Sequence, residues 1–219
     1  MRVHEHYSGA SGKKYDELVL EPIEEGGKVQ ARFFKDFINS DDIVLDFGCG
    51  RGEILANINC SEKHGLEINE HSRQIAATKF SIVYAKFEEV PDNFFDKIIS
   101  NHVLEHTKNP LYVLQNLRKK LKNGGEIILV LPLDDWRSKK QKYYHKDDID
   151  QHLFAWTPLS IGNLFGLAGF KEIKIKIISK AWSPKMFFLM KISRLVFELS
   201  QTMFSILKKR RQLLIVAKK

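Results

Sequence analysis

The chain reads as an α/β protein in which strands and helices alternate, and three observations predict it. Residues 43–53, IVLDFGCGRGE, set a short apolar run directly before a glycine-rich turn and a helix that opens at Glu53. Further apolar runs near 63–68, 81–84, 95–101 and 126–132 are separated by helical patterns near 53–59, 70–79 and 109–121. A chain of 219 residues that is 43% hydrophobic can also bury a large core without a metal or a disulfide.

Each element has its own signal. Residues 27–38 read as a helix before the first strand, with Val29, Phe33, Phe34 and Phe37 on or near one face. Ile43, Val44 and Leu45 suit a central parallel strand, which is buried on both faces. Gly124 and Gly125 follow NLRKKLK and read as the left-handed cap of a helix entering the next strand. Residues 134–150 form a polar run. Thr157 reads as the N-cap of a helix with Pro158 at its first position and Gly169 after its last turn. Residues 170–179 alternate as a strand, and 211–219 close the chain as another. Cys49 and Cys60 are 11 positions apart, with no C-x-x-C and no nearby His pair, so no metal site is legible and both read as inert thiols in a reducing compartment.

The glycine spacing narrows the ligand. A dinucleotide fingerprint is G-x-G-x-x-G, with a pyrophosphate on the helix N-terminus. Here the spacing is G-x-G-x-G and Asp46 precedes it. An acid at that mouth repels a pyrophosphate and suits a ligand that carries an ammonium group, such as S-adenosylmethionine. Glu67 ends the next strand, 21 residues after Asp46, where an acid can accept hydrogen bonds from both hydroxyls of a ribose.

On these residues the chain resembles the class I S-adenosylmethionine-dependent methyltransferases over roughly 42–170. The family's acid-x-G-x-G-x-G motif falls on Asp46, Gly48, Gly50 and Gly52, and its ribose-binding acid on Glu67. Residues 92–110 resemble its fourth strand and following loop, and 121–132 its fifth strand with the preceding turn. The resemblance implies a Rossmann-like, doubly wound sheet of seven strands with the last one antiparallel. It implies S-adenosylmethionine as cofactor, held by Asp46, Gly48, Cys49, Gly50, Gly52, Glu67, Ile68 and Asn101. Many relatives carry an Asp after the third strand for the adenine amino group, whereas this chain has Lys86 and Phe87 there. Phe87 lying against the adenine face, or Glu88 in place of the Asp, are the two substitutes.

Methyl transfer to a hydroxyl needs an acceptor held in line and its proton removed. The acceptor belongs over the ends of strands four and five. His102, His106, His145 and His152 are near that place, with Glu105 and Asp134 behind them, and His152, His106 and His145 are the candidate catalytic residues. Residues 143–158 could cover the acceptor as a lid, or form a solvated loop whose histidines cap helices. Trp136, Tyr143, Tyr144 and Trp156 would suit stacking on a sugar or ring. The resemblance extends to methyltransferases of bacterial surface polysaccharides, so the expected acceptor is a small molecule such as a sugar, nucleotide sugar or lipid-linked glycan intermediate; a basic flank would suit an anionic one and would equally fit an aromatic or quinone-like acid.

Charge is unevenly spread. Residues 1–133 carry a net −3 and residues 134–219 a net +11, which favours an anionic partner for the second half. The second unusual segment, 183–210, is an apolar helical insert with a basic end. It reads as core, as a homodimer contact, or as a helix lying in an anionic membrane surface; recurring charges speak against a span. The division expected is one methyltransferase domain over 1–219: an N-terminal helical cap at 1–42, a cofactor core at 43–133, an acceptor side at 134–182, the insert at 183–210 and a last strand at 211–219. No apolar signal sequence opens the chain, so a cytoplasmic location, including the inner membrane face, is expected. The rival functions are an RNA methyltransferase, which lacks a recognisable RNA-binding module here, and a scaffold that keeps the fold without turnover.

Overall fold

A computed structural model of the chain describes residues 9, 12, 23–134, 143–144 and 151–219. Among these, seven strands form one sheet: β1 (Ile43–Phe47), β2 (Glu62–Leu66), β3 (Ile82–Tyr84), β4 (Phe95–Asn101), β5 (Leu121–Pro132), β6 (Lys171–Ile178) and β7 (Gln212–Lys218). Their order is β3-β2-β1-β4-β5-β7-β6. The first five pair in parallel and β7 runs antiparallel to both β5 and β6. This is the Rossmann-like, doubly wound arrangement with one reversed strand.

The central strands alternate their side chains between two apolar layers. Leu45, Ile98, Ile127 and Leu129 face a cluster closed by α4 (Pro110–Lys120) and α5 (Pro158–Leu167), through Leu114, Leu117, Ile161 and Phe165. Val44, Ile99, Ile128 and Val130 face the opposite cluster with Ala31, Phe34 and Leu55, beneath α1 (Ile23–Ala31) and α2 (Glu53–Ala56). The caps follow the expected chemistry. Thr157 Oγ1 accepts from the Ser160 amide at 3.1 Å with Pro158 next in line, and Asn69 caps α3 (Glu70–Ala76).

Three elements differ from expectation. Helix α1 begins at Ile23 and carries Gly26 and Gly27 inside it, because a side chain at Gly27 would stand 2.5 Å from Glu53 Cβ; close packing on α2 overrides helix propensity. Gly124 is left-handed (φ 80°), yet α4 ends at Lys120, so the glycine pair lies within β5. There a Cβ on Gly125 would lie 3.0 Å from the Asp96 carbonyl oxygen, beside an irregularity in the β4–β5 register. The insert forms two helices, α6 (Phe187–Ile192) and α7 (Arg194–Leu207), broken at the extended residue Ser193.

Helix α7 is inverted relative to an ordinary surface helix. Phe197, Gln201 and Ser205 face inward, while Leu195, Leu199, Met203, Ile206 and Leu207 are exposed. The buried polar groups tie down the segment that leaves β6: Ser205 Oγ accepts from the Ala181 amide at 2.7 Å, and Gln201 Nε2 donates to the Lys180 carbonyl at 3.0 Å. The core reading of the insert therefore holds for its inner face alone. Ser205→Ala leaves a buried amide without a partner and should cost about 1–3 kcal/mol in chemical unfolding; Ser200→Ala, on a half-buried hydroxyl that bonds only the Phe197 carbonyl of its own helix, should cost less.

Candidate functional site

Strand order decides where a ligand can sit. The chain runs outward from β1 to β2 and β3, then returns to place β4 on the other side of β1. The crevice at that reversal opens beyond the carboxyl ends of the strands. A cleft of about 860 Å³ lies there, a size suited to a nucleoside-sized ligand.

Its floor is the turn after β1. Gly48 has φ 71°, and a Cβ on it would lie 2.4 Å from a Val103 methyl, so glycine is required for conformation and for space. Gly50, with φ 53°, lines the cleft and a Cβ on it would touch nothing. Gly52 does not line the cleft; it is the left-handed residue before α2, packed on the Phe80 ring. Cys49 lines the cleft and is buried, and burial, reinforced by Asp46 and Glu67, pushes its thiol well up, so it stays a neutral thiol. Both cysteines are free.

Two carboxylates dominate the electrostatics. Glu67 is anchored by backbone amides: Oε2 accepts from Gly50 and Oε1 from Asn69, both at 2.8 Å. Asp46 lies beneath the turn, 2% exposed, and its Oδ2 has no hydrogen-bond partner. Burial, then the charge of Glu67, raises its carboxyl to about 8. An ammonium group placed at that oxygen would supply the missing donor and the missing charge.

The remaining wall assembles the other predicted residues. Ile68, Phe87, Glu88 and Asn101 all line the cleft. Phe87 packs on Phe47 with ring centroids 5.5 Å apart, and Asn101 Oδ1 is buried without a partner. His106 lines the cleft as well, and His152 lies against it, with ring centroids 4.7 Å apart. The Leu153 amide donates to the Glu105 carbonyl at 2.9 Å, which holds the 151–154 segment in place. His145 and Trp136 lie outside the described residues. The aromatic expectation is corrected: Trp156 is core, stacked on Phe154 at 5.4 Å, and Tyr143 and Tyr144 point to solvent.

Sequence reading missed the far wall. Trp182, Lys180, Arg210 and Gln212 line the cleft from the β6 exit and the start of β7, and Tyr112 lines it from α4. Trp182 lies across Gly26, where a Cβ would be 2.9 Å from the ring, so that glycine was the signal. His102 also lines the cleft in a left-handed conformation, φ 55°, which is rare for a non-glycine residue and concentrated at functional sites.

A seven-stranded sheet with one reversed strand, an acid beneath a glycine turn and a second acid at the next strand end together make up the fold of the class I S-adenosylmethionine-dependent methyltransferases. The chain belongs to the methyltransferase-domain family, whose profile matches residues 24–175. It is 32% identical over 113 residues to an uncharacterised protein of Methanocaldococcus jannaschii, a match covering 47% of this chain and 54% of that one. It is 35% identical over 99 residues to a tRNA U34 carboxymethyltransferase of Pseudoalteromonas atlantica, covering 39% of this chain and 30% of that one. Thus the chain spans about half the length, or less, of these curated relatives. Its fold matches that of Haemonchus contortus phosphoethanolamine N-methyltransferase 2 in complex with S-adenosylmethionine, with TM-score 0.66, 16% identity, and coverage of 100% of this chain and 60% of that one.

The Asp46 carboxyl yields a pH prediction. The folded protein keeps this proton up to about pH 8, whereas an unfolded Asp loses it near 3.9, so the contribution of this group to stability falls as pH rises between those values. Without ligand, Asp46→Asn should match the natural protein at pH 4 and exceed it above pH 8, by on the order of a few kcal/mol. Pairing with an ammonium requires the ionised acid, so calorimetry of S-adenosylmethionine binding at pH 7 in buffers of different ionisation enthalpy should show proton release, and Asp46→Asn should abolish it.

Proposed function

We propose that this chain transfers the methyl group of S-adenosylmethionine to a hydroxyl of a small anionic acceptor, such as a sugar, a nucleotide sugar or a lipid-linked glycan intermediate. The observation that carries the reading is the unsatisfied, buried Asp46 oxygen beside the amide-anchored Glu67. Asp46 would take the ammonium group of the cofactor and Glu67 the ribose hydroxyls. Phe87, braced by Phe47, would lie against the adenine, with Glu88 at its rim. When bound, the cofactor supplies an electrophilic methyl and a good leaving group. The protein then has to position the acceptor and activate its oxygen, and His106 and His152 are the groups proposed to do so.

The anionic character of the acceptor rests on the far wall. Lys180 and Arg210 line the cleft there beside Trp182, which packs on Phe187 of the insert at 4.9 Å. Cleft and insert are therefore continuous. The insert also presents an exposed apolar row, with Ile192, Leu195 and Leu207 each about two-thirds exposed or more (68%, 66% and 73%). Residues 183–210 hold six Lys/Arg against one acid, Glu198. A self-paired dimer across this face would set two such positive surfaces against each other, whereas an anionic membrane surface neutralises them. We therefore assign the face to a membrane surface, where it would lie flat; among the described residues no helix is long and apolar enough to cross.

Two outcomes test these readings. Release of S-adenosylhomocysteine against a panel of sugars, nucleotide sugars and lipid-linked glycans should fall by about 10²-fold or more in His152→Ala while cofactor affinity stays unchanged; unaltered turnover removes His152 from the site. The protein should co-sediment with vesicles rich in anionic lipid at low salt, and Leu199→Glu with Met203→Glu should abolish it. A protein that stays in the supernatant and sediments as a dimer would transfer the face to self-association.

A further inference from the structure

Glu105 sits in the turn after β4, 0% exposed, and neither of its carboxylate oxygens has a hydrogen-bond partner. Burying a carboxylate without pairing is costly unless a cation compensates it. Its neighbours are imidazoles. Oε1 lies 3.3 Å from His102 Nδ1, at the long end of hydrogen-bond range, and 4.0 Å from His106 Nε2, within ion-pair range. His152 closes the group from the other side of His106. One ligand atom from each of Glu105, His106 and His152 lies within 4.8 Å of the others.

We propose that Glu105, His106 and His152 bind one divalent first-row transition-metal ion at the acceptor end of the cleft. The donor set decides the class: two imidazoles and one carboxylate suit manganese, iron, cobalt or zinc, whereas calcium and magnesium prefer all-oxygen surroundings. Bonds of about 2.0–2.2 Å bring the ligand atoms closer together than they now stand, within reach of ring rotation by the half-buried His106 and His152. Three protein ligands leave open positions, and His106 opens directly on the cleft. His102 is the positioning residue. Gln212 Nε2 lies 2.7 Å from His102 Nε2, so the amide donates to that nitrogen and the ring turns its Nδ1–H toward Glu105.

The ion gives the cleft a way to activate a hydroxyl, and this consequence rests on the O-methylation reading. An acceptor oxygen bound at an open position loses its proton to water more readily. That oxygen then forms a bond to the methyl carbon as the carbon–sulfur bond breaks and its electron pair returns to sulfur. The products are a methyl ether, S-adenosylhomocysteine and one proton in solvent. A divalent ion also binds two adjacent hydroxyls better than one, so the acceptor class narrows to molecules that present neighbouring oxygens.

The test is titration of the untagged, chelator-treated chain with Mn²⁺, Co²⁺ or Zn²⁺ alone, read by calorimetry and by thermal unfolding. One ion per chain is expected, with a raised unfolding midpoint. His152→Ala, at a half-buried position that leaves the core intact, should weaken binding at least about tenfold, and Glu105→Gln likewise; unaltered circular dichroism confirms that each variant is folded. No binding of any of the three ions, or binding that His152→Ala leaves unchanged, overturns the proposal. Metal binding with no midpoint shift from S-adenosylmethionine would leave the metal site standing and remove the methyltransferase reading; the reverse pattern would do the opposite.

Discussion

The structure turns on a buried acid, one of whose oxygens has no hydrogen-bond donor among the described residues. Asp46 lies at the end of a central strand, with no hydrogen-bond donor on its Oδ2 and another acid close by. Parallel pairing makes this arrangement unavoidable once the sheet forms: Asp46 stands opposite Gly65, and the Gly48 amide donates to the Leu66 carbonyl, so the glycine turn continues the β1–β2 ladder. Glu67 then arrives where its carboxylate meets the Gly50 amide. The turn must be glycine at 48 because Val103, from the loop after β4, occupies the space a side chain would need. The geometry of the site is thus a consequence of strand order, and its chemistry a consequence of burying a protonated acid that a cationic ligand can ionise and pair.

The acceptor side is built on a second inversion of ordinary rules. A surface helix normally turns apolar residues inward, whereas α7 buries Gln201 and Ser205 and exposes a leucine-rich row. The inward polar groups have work to do, since the segment leaving β6 has amide and carbonyl groups that meet no strand partner there; α7 satisfies one of each. Among the described residues, the outward row has no such partner. A patch of that kind on a soluble domain marks an interaction surface. Its basic flank and its continuity with Trp182 put the apolar row and the far wall of the cleft at one end of the molecule.

How much of this was legible in the sequence follows from how local each signal is. Asp46, the glycines and Glu67 are read from spacing alone, because a strand, a turn and the next strand end fix their relation within about two dozen residues. Thr157 and Pro158 announce α5 for the same reason. The far wall was illegible, since Trp182 and Arg210 reach the cleft through the β6–β7 reversal, which no local pattern encodes. Trp156 misled because aromatic residues near a site suggest stacking, yet this one forms a bridge with Leu133 and is consumed by the core. Helix α1 began earlier than its pattern because Gly26 and Gly27 are packing residues, a role their helix propensity conceals. The histidines and Glu105 were legible as an acceptor-side group but not as one ligand set, because His152 stands 46 positions beyond His106 in sequence and the two rings meet only in the fold, where the Leu153 amide bonds the Glu105 carbonyl.

Asp46 and Glu105 show why burial alone cannot assign a role. Both are enclosed, and in both burial pushes the carboxyl up. Asp46 has Glu67 beside it and rises to about 8. Glu105 has His102, His106 and His152 around it, and these outweigh burial and hold its carboxyl below the usual range. The first acid is therefore set to give up a proton when a cation arrives. The second is already charged and surrounded by groups that can share a cation with it. Each arrangement leaves a buried carboxylate oxygen short of close donors. Both would become favourable if positive charge entered the cleft from two directions, beneath the glycine turn and beside the histidines, and on the methyl-transfer reading proposed above the acceptor oxygen and the methyl group would meet in the space between them.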